Sequence, residues 1–145
     1  MKRYVVDASV AVKWLIPEEH SECAMKLLDD WLEEGLELNA PKLLRLEVTN
    51  ALTKYVERRV IDAEKAHEGF EIFREIMLSY VEEDWPLIED ALKASMSTGL
   101  SIYDAVYFAL AKRLEATLIT ADRRLVDKVK SEINVEDIRD SKFTG

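Results

Sequence analysis

Residues 102–111 form an apolar and aromatic run in which Asp104 is the only exception. A helix built from this run is apolar on every side, so it must lie inside the molecule and carry Asp104 with it. Residues 117–120 follow as a β-branched segment typical of a buried strand, and Asp122 stands just beyond them. The chain is therefore expected to fold around a buried helix and strand that are bracketed by two carboxylates.

Both acids also have a purely structural interpretation. Ser101 and Asp104 have the spacing of a capping box with Asp in place of Glu, and Asp122 can cap a helix over residues 123–130. Taken singly, helix capping explains each acid at least as well as chemistry does. A functional interpretation requires that further acids reach the same place.

Composition limits the class of protein. A chain of 145 residues fits a single domain, residues 1–145, and can bury roughly two-thirds of its unfolded surface. The single cysteine excludes an internal disulfide, and two histidines are too few for a zinc site. No uncharged stretch reaches the ~18 residues of a membrane span, and Asp7 and Lys13 interrupt the apolar start of the chain. We expect a cytoplasmic protein without a membrane segment.

The net charge of −9 restricts how the protein meets a polyanion. Twenty-nine acids against twenty bases repel nucleic acid over most of the surface. Contact with RNA or DNA then needs a local basic rim or bound cations. The charge argues against a general nucleic-acid coat protein but is compatible with an enzyme that meets nucleic acid at one patch.

Strand and helix patterns alternate along the chain. The predicted strands are residues 3–6, 36–40, 82–85, 117–120 and 135–138. The predicted helices are residues 8–16, 21–34, 41–59, 62–80, 87–97, 102–114 and 123–130. This alternation predicts an α/β fold with helices on both faces of a mostly parallel sheet. Ligands of such sheets bind beyond the carboxyl ends of the strands, where Asp7 and Asp122 both stand.

Several local predictions accompany this pattern. Ser21 is placed as a helix cap, Pro41 in the first turn of a helix, and Gly35 and Gly99 at helix ends. The helix after Asp62 has an apolar stripe that extends to Tyr80. Met77 belongs to this stripe and is predicted to lie in the core.

A third acid, Glu47, lies within the apolar stripe of the helix over residues 41–59. It follows Leu44 by three residues and precedes Ala51 by four, so these side chains share one helix face. Alternatively, Glu47 lies at the edge of this stripe and pairs with Arg45 or Lys54.

If Asp7, Glu47, Asp104 and Asp122 converge, they need a cation. Two carboxylates ~4 Å apart repel by about 4 kcal/mol at an effective dielectric constant near 20. Oxygen ligands without His or Cys select a hard ion such as Mg²⁺ or Mn²⁺. Such a site orients a phosphodiester and lowers the pKa of a bound water, which is the chemistry of metal-dependent phosphodiester hydrolysis. A Cys-His pair, a G-x-S-x-G elbow and a Walker loop are all missing from the sequence.

Four motifs in order support a resemblance to a known family. They are VVDAS (5–9), LEVTNAL (46–52), SIYDAVYFALA (101–111) and LITADRRL (118–125). Each is weak alone, but the ordered set resembles a PIN domain and is most similar to the VapC-type toxin ribonucleases. The resemblance spans nearly the whole chain.

The resemblance implies a three-layer α/β/α fold with a five-stranded parallel sheet. It further implies that Asp7, Glu47, Asp104 and Asp122 are catalytic and hold Mg²⁺ or Mn²⁺, and that Ser9 and Thr120 lend hydroxyls to the site or substrate. The implied activity is cleavage of single-stranded RNA by a homodimer. The resemblance also implies a small antitoxin as partner, with a basic side chain that lies among the acids.

Six basic residues are candidates for contact with RNA phosphates. Arg123 is placed among the substrate-binding residues because it adjoins Asp122; the others are Arg45, Lys54, Arg58, Arg59 and Arg124. For each, a solvated partner of the surplus acids is an equally good interpretation.

Two other function classes stay open. A PIN-like fold can be retained as a non-catalytic binding module, although such a module has no need of a repulsive buried cluster. A phosphotransfer domain also places aspartates at strand ends, but the related phosphatases have a second aspartate where this chain has Ser9.

Overall fold

A computed structural model describes residues 1–140 of the protein. The five strands are β1 (Lys2–Val6), β2 (Leu36–Pro41), β3 (Ser79–Val81), β4 (Thr117–Thr120) and β5 (Val135–Asp137). The helices are α1 (Ala8–Ala11), α2 (Ser21–Leu32), α3 (Leu43–Glu57), α4 (Ala63–Glu75), α5 (Trp85–Thr98), α6 (Ile102–Leu114) and α7 (Arg123–Val129). Two 3₁₀ helices, Val12–Trp14 and Ile138–Asp140, complete the described chain.

The strands form one parallel sheet in the order β3-β2-β1-β4-β5. With helices as its outer layers, the sheet confirms the predicted three-layer α/β/α fold. Because all strands run the same way, their carboxyl ends meet at one edge. β1 is central and pairs with both β2 and β4, so the residues that follow β1 and β4 lie side by side at this edge.

Helix α6 is the buried helix that the sequence predicts. Residues 105–111 are all buried, and the helix packs against α5 and against β1, β2 and β4. Its first turn differs from the expectation, because Ile102 and Tyr103 are 37% and 56% exposed. Asp104 is half-buried and lies where the helix passes from the surface into the core.

The chain around Pro41 differs from its prediction. Pro41 is the last residue of β2, and α3 begins two residues later at Leu43. The backbone N–H of Lys42 donates to the carbonyl of Val81, and the N–H of Leu43 donates to the carboxylate of Glu83. Glu83 therefore accepts the hydrogen bond of a backbone N–H at the start of α3. Because Glu83 is 40 residues away, the local sequence does not reveal this contact.

The prediction of a helix over residues 62–80 is wrong at its end. Asp62 caps α4 as expected, but the helix ends at Glu75 and Tyr80 lies in β3. Met77, expected in the core, is 80% exposed. Ladder pairing with β2 determines the conformation of this segment in place of its helical periodicity.

The predicted strand over residues 82–85 is also wrong. Asp84 accepts a hydrogen bond from the N–H of Leu87 and caps α5, which begins at Trp85. An N-cap carboxylate at this point stabilises the helix start and ends the extended chain.

Other helix ends shift by a few residues. α2 begins at Ser21 itself, with His20 at the cap position, and Glu34 rather than Gly35 takes the left-handed conformation at its end. The predicted helix over residues 8–16 divides into α1 and a 3₁₀ helix, whereas Gly99 ends α5 with φ 77° as predicted. Within residues 1–140, no helix has both the length and the apolar character that crossing a membrane requires.

Candidate active site

The four predicted acids lie around the carboxyl edge of the sheet. Asp7 follows β1 and Asp122 follows the neighbouring β4, while Asp104 is in the first turn of α6 and Glu47 is near the start of α3. Asp104 is the centre of the group, because its charge raises the pKa of both Asp7 and Glu47 and its own pKa is raised by Asp122. We call these four residues the acid cluster.

Asp7 is the most buried member of the acid cluster, at 7% exposure. One carboxylate oxygen accepts hydrogen bonds from the Ser9 hydroxyl at 2.6 Å and the Val10 N–H at 3.3 Å, and the other accepts from the Thr120 hydroxyl at 2.5 Å. Burial raises the pKa of Asp7 to about 6, against the opposing effect of these donors. Within the described chain, neutral groups alone donate to this carboxylate.

Ser9 and Thr120 connect the ends of β1 and β4. The Ser9 hydroxyl accepts from the N–H of Ala121 at 2.8 Å, and the Thr120 hydroxyl accepts from the N–H of Asp122 at 3.1 Å. The two hydroxyl oxygens are 3.3 Å apart. Both predicted residues therefore fix the orientation of Asp7 and the position of the turn that carries Asp122.

Glu47 is held by Tyr107, a residue that sequence reasoning missed. The buried Tyr107 hydroxyl donates to Glu47 Oε1 at 2.6 Å. Burial raises the pKa of Glu47, the hydrogen bond from Tyr107 lowers it, and the charge of Asp104 raises it. Tyr107 follows Asp104 by three residues and thus lies on the same face of α6. This spacing could have predicted that Tyr107 belongs to the site.

The alternative pairing of Glu47 with Arg45 or Lys54 does not form. The Arg45 guanidinium lies over the ring of Tyr80, 5.8 Å from its centroid. Lys54 makes no ion pair with any residue between 1 and 140. Glu47 therefore points inward, as its place in the apolar stripe of α3 predicts.

Asp122 is a helix N-cap as well as a member of the cluster, whereas Asp104 lies in the first turn of a helix that Ser101 caps. The N–H of Asp104 donates to the Ser101 hydroxyl at 3.1 Å, and Asp122 Oδ1 accepts from the N–H groups of Arg124 and Leu125 at 2.9 and 3.3 Å. Asp122 Oδ2 accepts no hydrogen bond from the described residues. Burial and the charge of Asp122 raise the pKa of Asp104, while Ser101 and Lys128 lower it.

The donor set fits a hard divalent cation. None of the four acids forms a salt bridge with a Lys or Arg of residues 1–140, and the pKa of three of them is raised. In this part of the chain, no three His, Cys, Asp or Glu side chains are already placed to hold an ion by themselves. Mg²⁺ commonly keeps several waters and uses one or two carboxylates together with substrate phosphates, so it does not require an enclosed set.

Arg123, the predicted phosphate contact, begins α7 next to Asp122. Its Nε lies 3.5 Å from Asp137 Oδ2, and its side chain is 65% exposed. Arg123 is therefore at the rim of the acid cluster and open to solvent.

Comparison with known proteins identifies the family to which this fold belongs. The family model for the PIN domain matches residues 4–131. The chain belongs to the PIN-domain family. Ribonuclease VapC3 of Pyrobaculum aerophilum is 33% identical to this PIN domain over 131 residues, which cover 87% of this chain and 94% of the relative.

Solved structures extend the similarity of fold. A toxin-antitoxin complex from Klebsiella pneumoniae contains a chain with a TM-score of 0.67 and 13% identity, covering 93% of this PIN domain and 97% of that chain. VapBC2 from Rickettsia felis, bound to a DNA fragment from its promoter, gives a TM-score of 0.69 at 13% identity, with 93% and 98% covered. At these identities the structures establish the fold alone.

Proposed function

We propose that this PIN domain is an endoribonuclease that uses Mg²⁺ or Mn²⁺ to hydrolyse phosphodiester bonds of single-stranded RNA. One observation carries the proposal: three further acids gather around Asp104 at the ligand-binding edge of the sheet, and none of the four forms a salt bridge with a Lys or Arg of the described chain. Repulsion within such a cluster disfavours folding unless a cation is bound. The ribonuclease name of the relative in Pyrobaculum aerophilum supports the same reaction.

In this proposal Asp7, Asp104 and Asp122 hold the metal, and Glu47 completes the set or positions the attacking water. A divalent cation held by these residues would lower the pKa of a water and would stabilise charge on the leaving oxygen. The chain keeps Asp7 oriented through Ser9 and Thr120, and keeps Glu47 oriented through Tyr107. Fixed carboxylates that need no reorganisation during the reaction are the main protein contribution to such a site.

We further propose that the chain is a single nuclease domain that acts as the toxin of a toxin-antitoxin pair in the cytoplasm, as a homodimer. Two structural neighbours, a toxin-antitoxin complex and a VapBC pair, support a protein partner. An antitoxin that places a basic side chain among the four acids would occupy the metal position and remove the repulsion at the same time.

Cleavage by the purified protein tests the reaction. Single-stranded RNA should be cut in the presence of Mn²⁺ or Mg²⁺, and a chelator should stop the cutting. The metal should also raise the melting temperature, since a ligand at about 100 times its Kd stabilises a fold by ~2.7 kcal/mol. Cutting that continues in excess chelator, or a melting temperature that ignores both metals, would contradict the proposal.

Tyr107→Phe is expected to weaken the site through Glu47. The variant removes the hydroxyl that donates to Glu47, and loss of a hydrogen bond to a charged group costs about 1.5–3 kcal/mol. We expect a lower urea midpoint at neutral pH together with slower RNA cleavage. Tyr55→Phe is the matched control, because Tyr55 donates to Glu18 in the same way outside the acid cluster. The control should lose stability and keep its activity, and equal activity losses would refute a role specific to Tyr107.

A further inference from the structure

A second charged cluster adjoins the acid cluster at the end of β5. Asp137 is the last residue of β5 and is paired in register with Thr120, which donates to Asp7. The Asp137 side chain is 7% exposed and lies between the guanidinium groups of Arg123 and Arg139. Sequence reasoning considered neither Asp137 nor Arg139.

Arg139 is fixed by several hydrogen bonds. Its Nε and Nη2 donate to the two oxygens of Asp137 at 2.8 and 2.6 Å, and its backbone N–H donates to the same carboxylate at 2.9 Å. Nη2 also donates to the carbonyl of Ala121 at 3.2 Å. Since the N–H of Ala121 donates to Ser9, Arg139 is attached to the same turn that positions Asp122.

Donors remain available on both arginines. The side chains of Arg123 and Arg139 are 65% and 27% exposed. The Nη groups of Arg123 and the Nη1 group of Arg139 donate to no residue between 1 and 140. Two guanidinium groups share the Asp137 carboxylate beside the acid cluster, and the charges of Asp140 and Glu19 also act on Arg139. One arginine would suffice to neutralise Asp137.

We propose that Arg123 and Arg139 bind a backbone phosphate of the RNA substrate next to the acid cluster, and that Asp137 is the positioning residue that orients both. This inference rests on the proposed function and names how the substrate is held. A planar guanidinium presents paired N–H donors that match two phosphate oxygens, and such contacts set the register of a nucleic acid without reading its sequence. The arrangement supplies the local basic rim that an acidic protein needs to meet RNA.

Binding of RNA tests the phosphate site separately from catalysis. A labelled short single-stranded RNA is titrated with the Asp104→Asn protein in Mg²⁺, over roughly 50 to 200 mM KCl. In this Asp104→Asn background, a second substitution, either Arg123→Gln or Arg139→Gln, should weaken the affinity for RNA on the order of tenfold. Each should also reduce the slope of log affinity against log salt by about 1, as expected for one lost phosphate contact. Arg123 is exposed, so its substitution tests the site without a threat to folding.

Asp137→Asn separates positioning from simple charge. Removing an acid should strengthen the binding of a polyanion if charge alone matters. If Asp137 orients both arginines, the same substitution should weaken binding. In the protein that retains Asp104, it should also raise KM for RNA severalfold while kcat stays nearly unchanged. Thermal melting of each variant shows whether the fold is kept.

Arg113→Gln is the matched control. Arg113 forms the same type of fork with Asp84, at 3.0 and 3.1 Å, but lies nine residues after Asp104, about 14 Å along α6. This control should bind RNA as the parent does. Equal losses in the control, unchanged binding in the Arg123 and Arg139 variants, or tighter binding by Asp137→Asn would each overturn the inference.

The two proposals fail in different ways. If the wild-type protein cuts RNA and the arginine variants keep their affinity and KM, the phosphate site is wrong and the nuclease proposal stands. If the wild-type protein cuts no RNA but only the Arg123 and Arg139 variants lose binding, the nuclease proposal is wrong and the phosphate site stands.

Discussion

Replacing Asp104 by Asn is expected to reduce RNA cleavage by roughly 10²–10³-fold while the fold is retained. Asp104 is the one acid whose charge acts on Asp7 and Glu47 and is acted on by Asp122. Asn keeps the shape of the side chain and the backbone N–H that donates to Ser101, so the start of α6 is preserved. The substitution removes the central charge that would attract the metal.

Two measurements check this expectation. Cleavage of single-stranded RNA is followed under Mn²⁺, and the rise in melting temperature on addition of Mn²⁺ is compared with that of the wild type. The variant should lose most of both. Asp29→Asn serves as the control, because Asp29 is exposed on α2 and its side chain makes no hydrogen bond or ion pair with the described residues. Cleavage at the wild-type rate by Asp104→Asn would place the reaction outside the acid cluster.

Asp7 is expected to make the metal-free protein less stable as the pH rises from about 4 to above 6. Burial raises the pKa of Asp7 from its ordinary 3.8 to about 6 in the folded protein. The folded state therefore binds the proton more tightly than the unfolded state, and stability falls as pH rises through this window. A difference of this size corresponds to about 3 kcal/mol.

The Asp7→Asn variant isolates this effect, since a neutral amide does not titrate in the window. We measure the free energy of unfolding in urea, with chelator present, for both proteins. The free energy of the variant minus that of the wild type should rise by about 3 kcal/mol between pH 4 and pH 7.5. Taking the difference between the two proteins cancels the other titrating groups. Addition of Mn²⁺ at pH 7.5 should stabilise the wild type and leave the variant nearly unchanged. A difference that stays constant with pH would show that Asp7 is ionised at no cost in the folded protein.

The elements closest to the site were predictable because their signals are local. The run 102–111 has no polar face, so burial of α6 followed from composition alone. Asp7 and Asp122 follow short buried strands, and parallel strands deliver such residues to one edge. The inward position of Glu47 followed from helical spacing and was confirmed by its contact with Tyr107.

The failures have a common cause in contacts between distant residues. Tyr80 was assigned to a helix because its spacing suited α4, but pairing of β3 with β2 determines its conformation. The partner of Glu47 lies 60 residues away, so its contact with Tyr107 was not predicted. Local patterns carry no information about which distant side chains meet.

The amino-acid sequence by itself determined the alternating fold and the buried helix α6, because the pattern of hydrophobic residues fixes which face of each element is buried. The alternating fold in turn brings the four acids toward one edge of the sheet. The tertiary structure alone decided how each acid is held, with Tyr107 on Glu47 and with Ser9 and Thr120 on Asp7. It also decided that Asp137 joins Arg123 and Arg139 beside the acids. Hydrogen-bond direction and shared ion pairs depend on positions in space, which only the packed chain defines.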